Sequence, residues 1–179
     1  MSATQAIACW VGASGYVNAC TLNVSGNTVT AGAVLVVNAV SSAYVSVTAV
    51  SATQAVVAYT GLSTYVNACT LNVSGTTLTN GAVLIVNAAA TVYVAVAAMS
   101  ATQCIVTYSG TTSYTQACTL NISGTTITNG TVLSVNAINS SYLCVAPLST
   151  TQAVLAYSGG PAYLHACTLN VSGTTLTNG

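Results

Sequence analysis

The chain has 179 residues, 53% of them hydrophobic, and contains no Asp, Glu, Lys or Arg. An ordinary soluble domain is about 25% charged. Without Lys or Arg there is no electrostatic footing for nucleic acid and no polybasic patch for anionic lipid. Without carboxylates or Lys, general acid–base catalysis loses most of its usual groups.

The same phrase recurs every 49 residues, opening at Ser2, Ser51, Ser100 and Ser149. Cys20, Cys69, Cys118 and Cys167 keep that step, as do Gly26, Gly75, Gly124 and Gly173. The chain therefore divides into units 1–49, 50–98 and 99–147 and a partial unit 148–179, read as one repeat domain cut from a longer array.

The second unit gives the elements in order. Residues 54–59 form a short apolar run ended by Thr60-Gly61. Residues 65–74 alternate, with Cys69, Leu71 and Val73 on one face and Ala68, Thr70, Asn72 and Ser74 on the other, which predicts a strand with two unlike faces. Ser74-Gly75-Thr76 reads as a turn and residues 77–79 as a strand. Asn80-Gly81 follows as a turn or bulge, and 82–87 and 92–97 are further apolar strands. No segment carries a helical period with caps, and no apolar run approaches the ~20 residues of a membrane-spanning helix.

About four strands per unit, most of them apolar on both faces, predict an all-β fold. Sheets covered on both sides suit the blades of a β-propeller. The alternative is a β-solenoid, which would stack the equivalent cysteines about 4.8 Å apart. In a propeller, closure of the ring calls for residues or chains beyond these units, and open strand edges invite self-association.

The phrases SATQAVVAY, ACTLNVSGTTLTNG and VYVAVAAM resemble the blades of propeller-type repeats in large bacterial and phage-associated extracellular proteins. The resemblance implies a fold and an extracellular or surface location. It carries over no catalytic residue.

The residues themselves offer few chemical sites. His165 is the only histidine and stands where other units have Asn18, Asn67 and Gln116. The position reads as a surface or strand-edge residue with no carboxylate to orient it. Seven cysteines without a CxxC pair give neither a disulfide framework nor a metal site, and the periodic ones read as small buried hydrophobes. No catalytic, cofactor or metal residue is assigned. Asn23, Asn72, Asn121 and Asn170 each begin an Asn-x-Ser sequon, a candidate glycosylation site in a secreted protein but more simply a repeated polar strand position. Tyrosines fall in three columns, typified by Tyr59, Tyr65 and Tyr93, expected at strand ends with hydroxyls reaching water.

Two functional classes follow. The first is a propeller-like structural or interaction scaffold on a cell surface, virion or fibre, with self-association or other chains completing the array. The second is a carbohydrate-binding module in which Tyr16, Tyr65, Tyr114 and Tyr163 contact glycans, since ring stacking on sugars needs no charge. Neither class uses a cofactor, nucleic acid or membrane insertion, and neither is an enzyme.

Overall fold

The computed structural model describes residues 1–110, 114–160 and 163–179. The first sheet holds β1 (Gln5–Val11), β2 (Val17–Ser25), β3 (Thr28–Ala31) and β4 (Leu35–Asn38). The second holds β5 (Ala43–Ala49), β6 (Gln54–Thr60), β7 (Val66–Ser74), β8 (Thr77–Asn80) and β9 (Leu84–Asn87). The third holds β10 (Val92–Ser100), β11 (Gln103–Ser109), β12 (Tyr114–Ser123) and β13 (Thr126–Asn129), and takes in the start of β14 (Leu133–Pro147). The end of β14 opens the fourth sheet, with β15 (Gln152–Gly159), β16 (Tyr163–Ser172) and β17 (Thr175–Asn178). Among the described residues the only helical element is a three-residue 3-10 turn at Leu62–Thr64, and no helix is long and apolar enough to cross a membrane.

The pairing is antiparallel throughout, and in the second sheet it runs β5-β6-β7-β8, with β9 also on β7. β8 and β9 are therefore two halves of one outer strand. Val73 faces Leu78 in the first half and Ala68 faces Leu84 in the second. The strand breaks at Gly81, where a Cβ would lie 2.1 Å from the Thr125 carbonyl oxygen and 2.4 Å from Thr70 Oγ1. Gly32 and Gly130 meet the same obstacle from Thr76 and Thr174. The repeated glycine is thus a close-approach residue, where the next sheet crosses the outer strand.

The sheets are offset from the sequence units. Ala43–Ala49, in the first unit by sequence, pairs with Gln54–Thr60 of the second. β14 makes the same handover without interruption, pairing with β12 through Leu133–Asn136 and with β15 through Ser140–Pro147. Each later sheet thus takes its first strand from the preceding unit, and no described strand pairs with its equivalent in the next repeat. That is the arrangement of propeller blades rather than of solenoid coils.

Three apolar cores lie between neighbouring blades. Alternation along β6 sends Ala55, Val57 and Tyr59 to the core shared with the first blade, and Val56 and Ala58 to the core shared with the third. β11 repeats this, with Cys104, Val106 and Tyr108 facing back and Ile105 facing forward. A strand sandwiched in this way needs apolar residues on both faces, which is why its sequence does not alternate. Each buried Val or Leu contributes about 1.5–3 kcal/mol. Leu78 is 7% exposed because it packs against Val17 and Val37 of the preceding blade. Its counterpart Val29, in the first described blade, is 60% exposed.

Polar latches accompany each core. Gln5, Gln54 and Gln103 each donate from Nε2 to the carbonyl of a turn glycine in the next blade, Gly75, Gly124 and Gly173, at 2.8 Å each. Thr21, Thr70 and Thr119 donate to the carbonyls of Thr76, Thr125 and Thr174 at 2.9, 3.0 and 3.1 Å. Asn80, Asn129 and Asn178 reach back to the carbonyls of Val37, Val86 and Val135 at 3.3, 3.4 and 3.1 Å. All of these groups are neutral, so the stack is pinned in register without a single ion pair.

Candidate functional site

The candidate glycan-contact tyrosines lie where β1, β6, β11 and β15 turn into the following strand. Tyr16, Tyr65 and Tyr114 are half-buried, and Tyr163 is exposed. The Tyr65 carbonyl accepts the Gly61 amide at 2.8 Å and the Asn67 side-chain amide at 3.2 Å. Tyr16 is held in the same way by Gly12 at 2.9 Å and by Asn18 at 3.3 Å. Ser63 and Thr64, just before Tyr65, both have left-handed backbone, with φ of 61° and 62°. Thr91 fixes that loop, donating to the Thr64 carbonyl from its amide at 2.9 Å and from its hydroxyl at 2.6 Å.

Beside Tyr65 a cleft of about 370 Å3 opens between the first and second blades. Asn38, Ser63, Tyr65 and Asn67 supply its polar groups, and Val40, Leu62, Val83 and Ile85 its apolar wall. Asn38 donates to the Tyr59 hydroxyl at 2.9 Å. Asn67, itself buried, donates to the Tyr65 carbonyl, so the polar lining is neutral amides, a hydroxyl and a phenol. An aromatic ring, neutral polar groups and an apolar wall fit a neutral ligand with hydroxyls and C–H faces. The matching positions in later repeats include residues 111–113 and 161–162, which lie outside the described residues.

The Tyr59 column departs from expectation. Tyr59 and Tyr108 are fully buried, so their hydroxyls do not reach water. Asn38 and Asn136 satisfy the Tyr59 and Tyr157 hydroxyls, the latter at 2.7 Å. In the third blade Asn87 instead donates to Gln116 Oε1 at 3.4 Å, and the Tyr108 hydroxyl is left without a partner. The longer Gln116, where the first two units have Asn, captures the amide. Burial pushes both the Tyr59 and the Tyr108 phenol up. The sequence missed this role because nothing local marks Asn38, 21 residues upstream, as the partner of Tyr59.

The Tyr93 column is a ladder. The rings of Tyr44 and Tyr93 lie 5.1 Å apart between centroids, tilted by 53°, and those of Tyr93 and Tyr142 lie 5.1 Å apart, tilted by 48°. Tyr142 is 74% exposed and Tyr44 43%. All three have left-handed backbone, with φ of 48°, 53° and 51°. Each sits in a pairing irregularity, between Ala43 and Ser46, Val92 and Ala95, and Ser141 and Cys144. Bulges re-aim a side chain out of the regular pleat. Three left-handed non-glycine residues cost roughly 3–6 kcal/mol, whereas two aromatic contacts return roughly 1–3 kcal/mol. The bulges hold these tyrosines in a conformation that ring contacts offset only in part at the centre of these ranges.

His165 is half-buried rather than at the surface. Its ring stacks on Tyr157, directly opposite on β15, at 5.5 Å and 12°. Its Nε2 has no hydrogen-bond partner among the described residues. The sequon asparagines take part in the latches. Asn23, Asn72, Asn121 and Asn170 accept from Gln5, Gln54, Gln103 and Gln152 at 2.7, 2.8, 2.8 and 2.9 Å. All seven cysteines are free. Burial, and for Cys9 and Cys69 also a neighbouring thiol, pushes Cys9, Cys69, Cys104 and Cys118 up to about 12, so they stay protonated and inert.

The chain matches no protein-family model and no curated protein. It is similar in fold to solved structures of a variant of the lectin from Aleuria aurantia. One, in complex with Fucα1-6GlcNAc, has a TM-score of 0.57 at 13% identity over 98% of this chain. Another, in complex with α-methyl-L-fucoside, has a TM-score of 0.56 at 11% identity over the same share. The chain spans 60% of the length of either structure. At these identities the likeness establishes the fold, a β-propeller.

Proposed function

We propose that this protein is a carbohydrate-binding propeller without enzymatic activity, acting outside cells or on a surface. The observation that carries the reading is the charge-free cleft between blades. There Tyr65, Asn38, Asn67 and Ser63 supply neutral polar groups, and four aliphatic side chains make one wall. Sugar recognition by stacking and neutral hydrogen bonds needs no ionisable group. The fold neighbours support the reading, since both are lectin structures in complex with a fucose-containing ligand. Tyr16, Tyr114 and Tyr163 are the corresponding contacts in the other repeats. The test is a glycan array that includes fucosylated and neutral glycans, read for the parent chain and for Tyr65→Ala. Retention of a glycan by the parent and at least a tenfold loss in the variant are expected. No retained glycan, or equal retention by both, would overturn the reading.

A further inference from the structure

We infer that the ladder of Tyr44, Tyr93 and Tyr142 is a second binding platform, for an extended neutral oligosaccharide of at least three sugar units, one against each ring. This rests on the carbohydrate-binding reading and extends it from a terminal sugar in a cleft to a chain lying across blades. Three features of the ladder point to a ligand. Each ring is aimed by a bulge and a left-handed residue, repeated at the same step with nearly the same φ. Strain of this kind gathers at ligand clamps, where the surrounding structure enforces it. The outer rings are open to solvent, and the spacing of 5.1 Å between rings is constant, comparable with the advance of one pyranose along an extended chain.

The alternatives are narrowed by what the rim lacks. No charge is available for an ionic ligand. A peptide adding as a strand would need free backbone groups on the edge of the strand carrying the tyrosine. In β10 that edge is partly taken. The Val96 and Ala98 amides donate to Ser46 Oγ at 3.1 Å and Thr48 Oγ1 at 3.2 Å of β5. In the next repeat Thr48 is replaced by Ala97, and Ala98 by Pro147, which has no amide hydrogen to leave unpaired. What the rim presents is tilted phenol rings and their hydroxyls, uncharged groups suited to a neutral sugar. The ladder also lies at the same end of the blades as Tyr65, because Thr91, two residues before Tyr93, is bonded to Thr64, one residue before Tyr65.

The experiment titrates the chain with linear neutral oligosaccharides of one to six units from β-1,4-glucan, mannan and chitin, following tyrosine fluorescence and calorimetric heat. Affinity for at least one series should rise at least tenfold between one and three units and then level off. Tyr142→Ala and Tyr93→Gly should remove that rise while leaving single-sugar affinity unchanged. Tyr93→Gly should also keep or raise the melting temperature, because glycine adopts the left-handed backbone freely. A lost rise with a preserved fold separates a binding role from a structural one. Affinity independent of length, or a rise untouched by both variants, overturns the platform. If binding falls only with Tyr65→Ala, the platform fails while the cleft reading stands. If no oligosaccharide binds here and the glycan array is also empty, both fail.

Discussion

The two ends of each blade differ in what repetition has kept. At the turn end, Ser-Gly-Thr-Thr recurs in three of four repeats, with Asn27 the one change, and the interblade latches repeat to within a few tenths of an ångström. At the loop end the sequence drifts. Gly12-Ala-Ser-Gly15, Gly61-Leu-Ser-Thr64 and Gly159-Gly160 followed by Pro share little beyond the first glycine, and the position two residues past the Tyr65-type tyrosine is Asn, Asn, Gln or His. One end is constrained because both blades must fit it, and the other is free to vary because a scaffold already holds it. Recognition residues concentrate on such loops, and both tyrosine sites lie at this end.

Alkaline titration sharpens the contrast between the packed middle of the blades and both ends. The thiols of Cys9, Cys69, Cys104 and Cys118 ionise near 9.0 when unperturbed and are pushed up to about 12 here. Between those values the unfolded chain has released protons that the folded chain still holds, so stability falls as pH rises. Denaturant midpoints should be flat below pH 8 and collapse from about pH 9 toward 12. The acid limb usual for proteins should be missing, because no Asp or Glu side chain is present to be protonated. A thiol reagent at neutral pH should label exposed Cys144 and leave Cys69, Cys104 and Cys118 untouched without denaturant.

Gly81→Ala tests the turn end directly. Its Cβ would collide with the backbone of the third blade and the Thr70 hydroxyl, and overpacking of this kind costs about 3 kcal/mol. Gly61→Ala, at the loop end, meets mainly the Asn67 side-chain amide, which can move, so its denaturant midpoint should shift less. Equal shifts would break the comparison. Gln54→Ala removes bonds to Asn72 and Gly124 and should cost about 1–2 kcal/mol in urea unfolding. The smallest stability effect belongs to Tyr65→Ala, within about 1 kcal/mol, although its effect on glycan retention is expected to be large.

The sequence itself determined the all-β class and the 49-residue period and favoured a propeller over a solenoid, because period-two alternation in β7 and two-sided apolar runs in β6 and β11 reflect burial that acts residue by residue. It also placed the turn at Gly75, whose φ of 60° is a local demand of the backbone. Tertiary structure alone decided which strands form one sheet. Ala43–Ala49 leaves its own sequence unit because pairing with Gln54–Thr60 is a tight hairpin, a preference that composition cannot display. The same holds for the sites. The buried Tyr59, the cleft beside Tyr65 and the ladder through Tyr93 are alike in sequence, each a tyrosine repeated every 49 residues. They differ because one lies in the core between two blades, one beside a gap between blades and one on a bulge, and those surroundings come from residues distant in the chain.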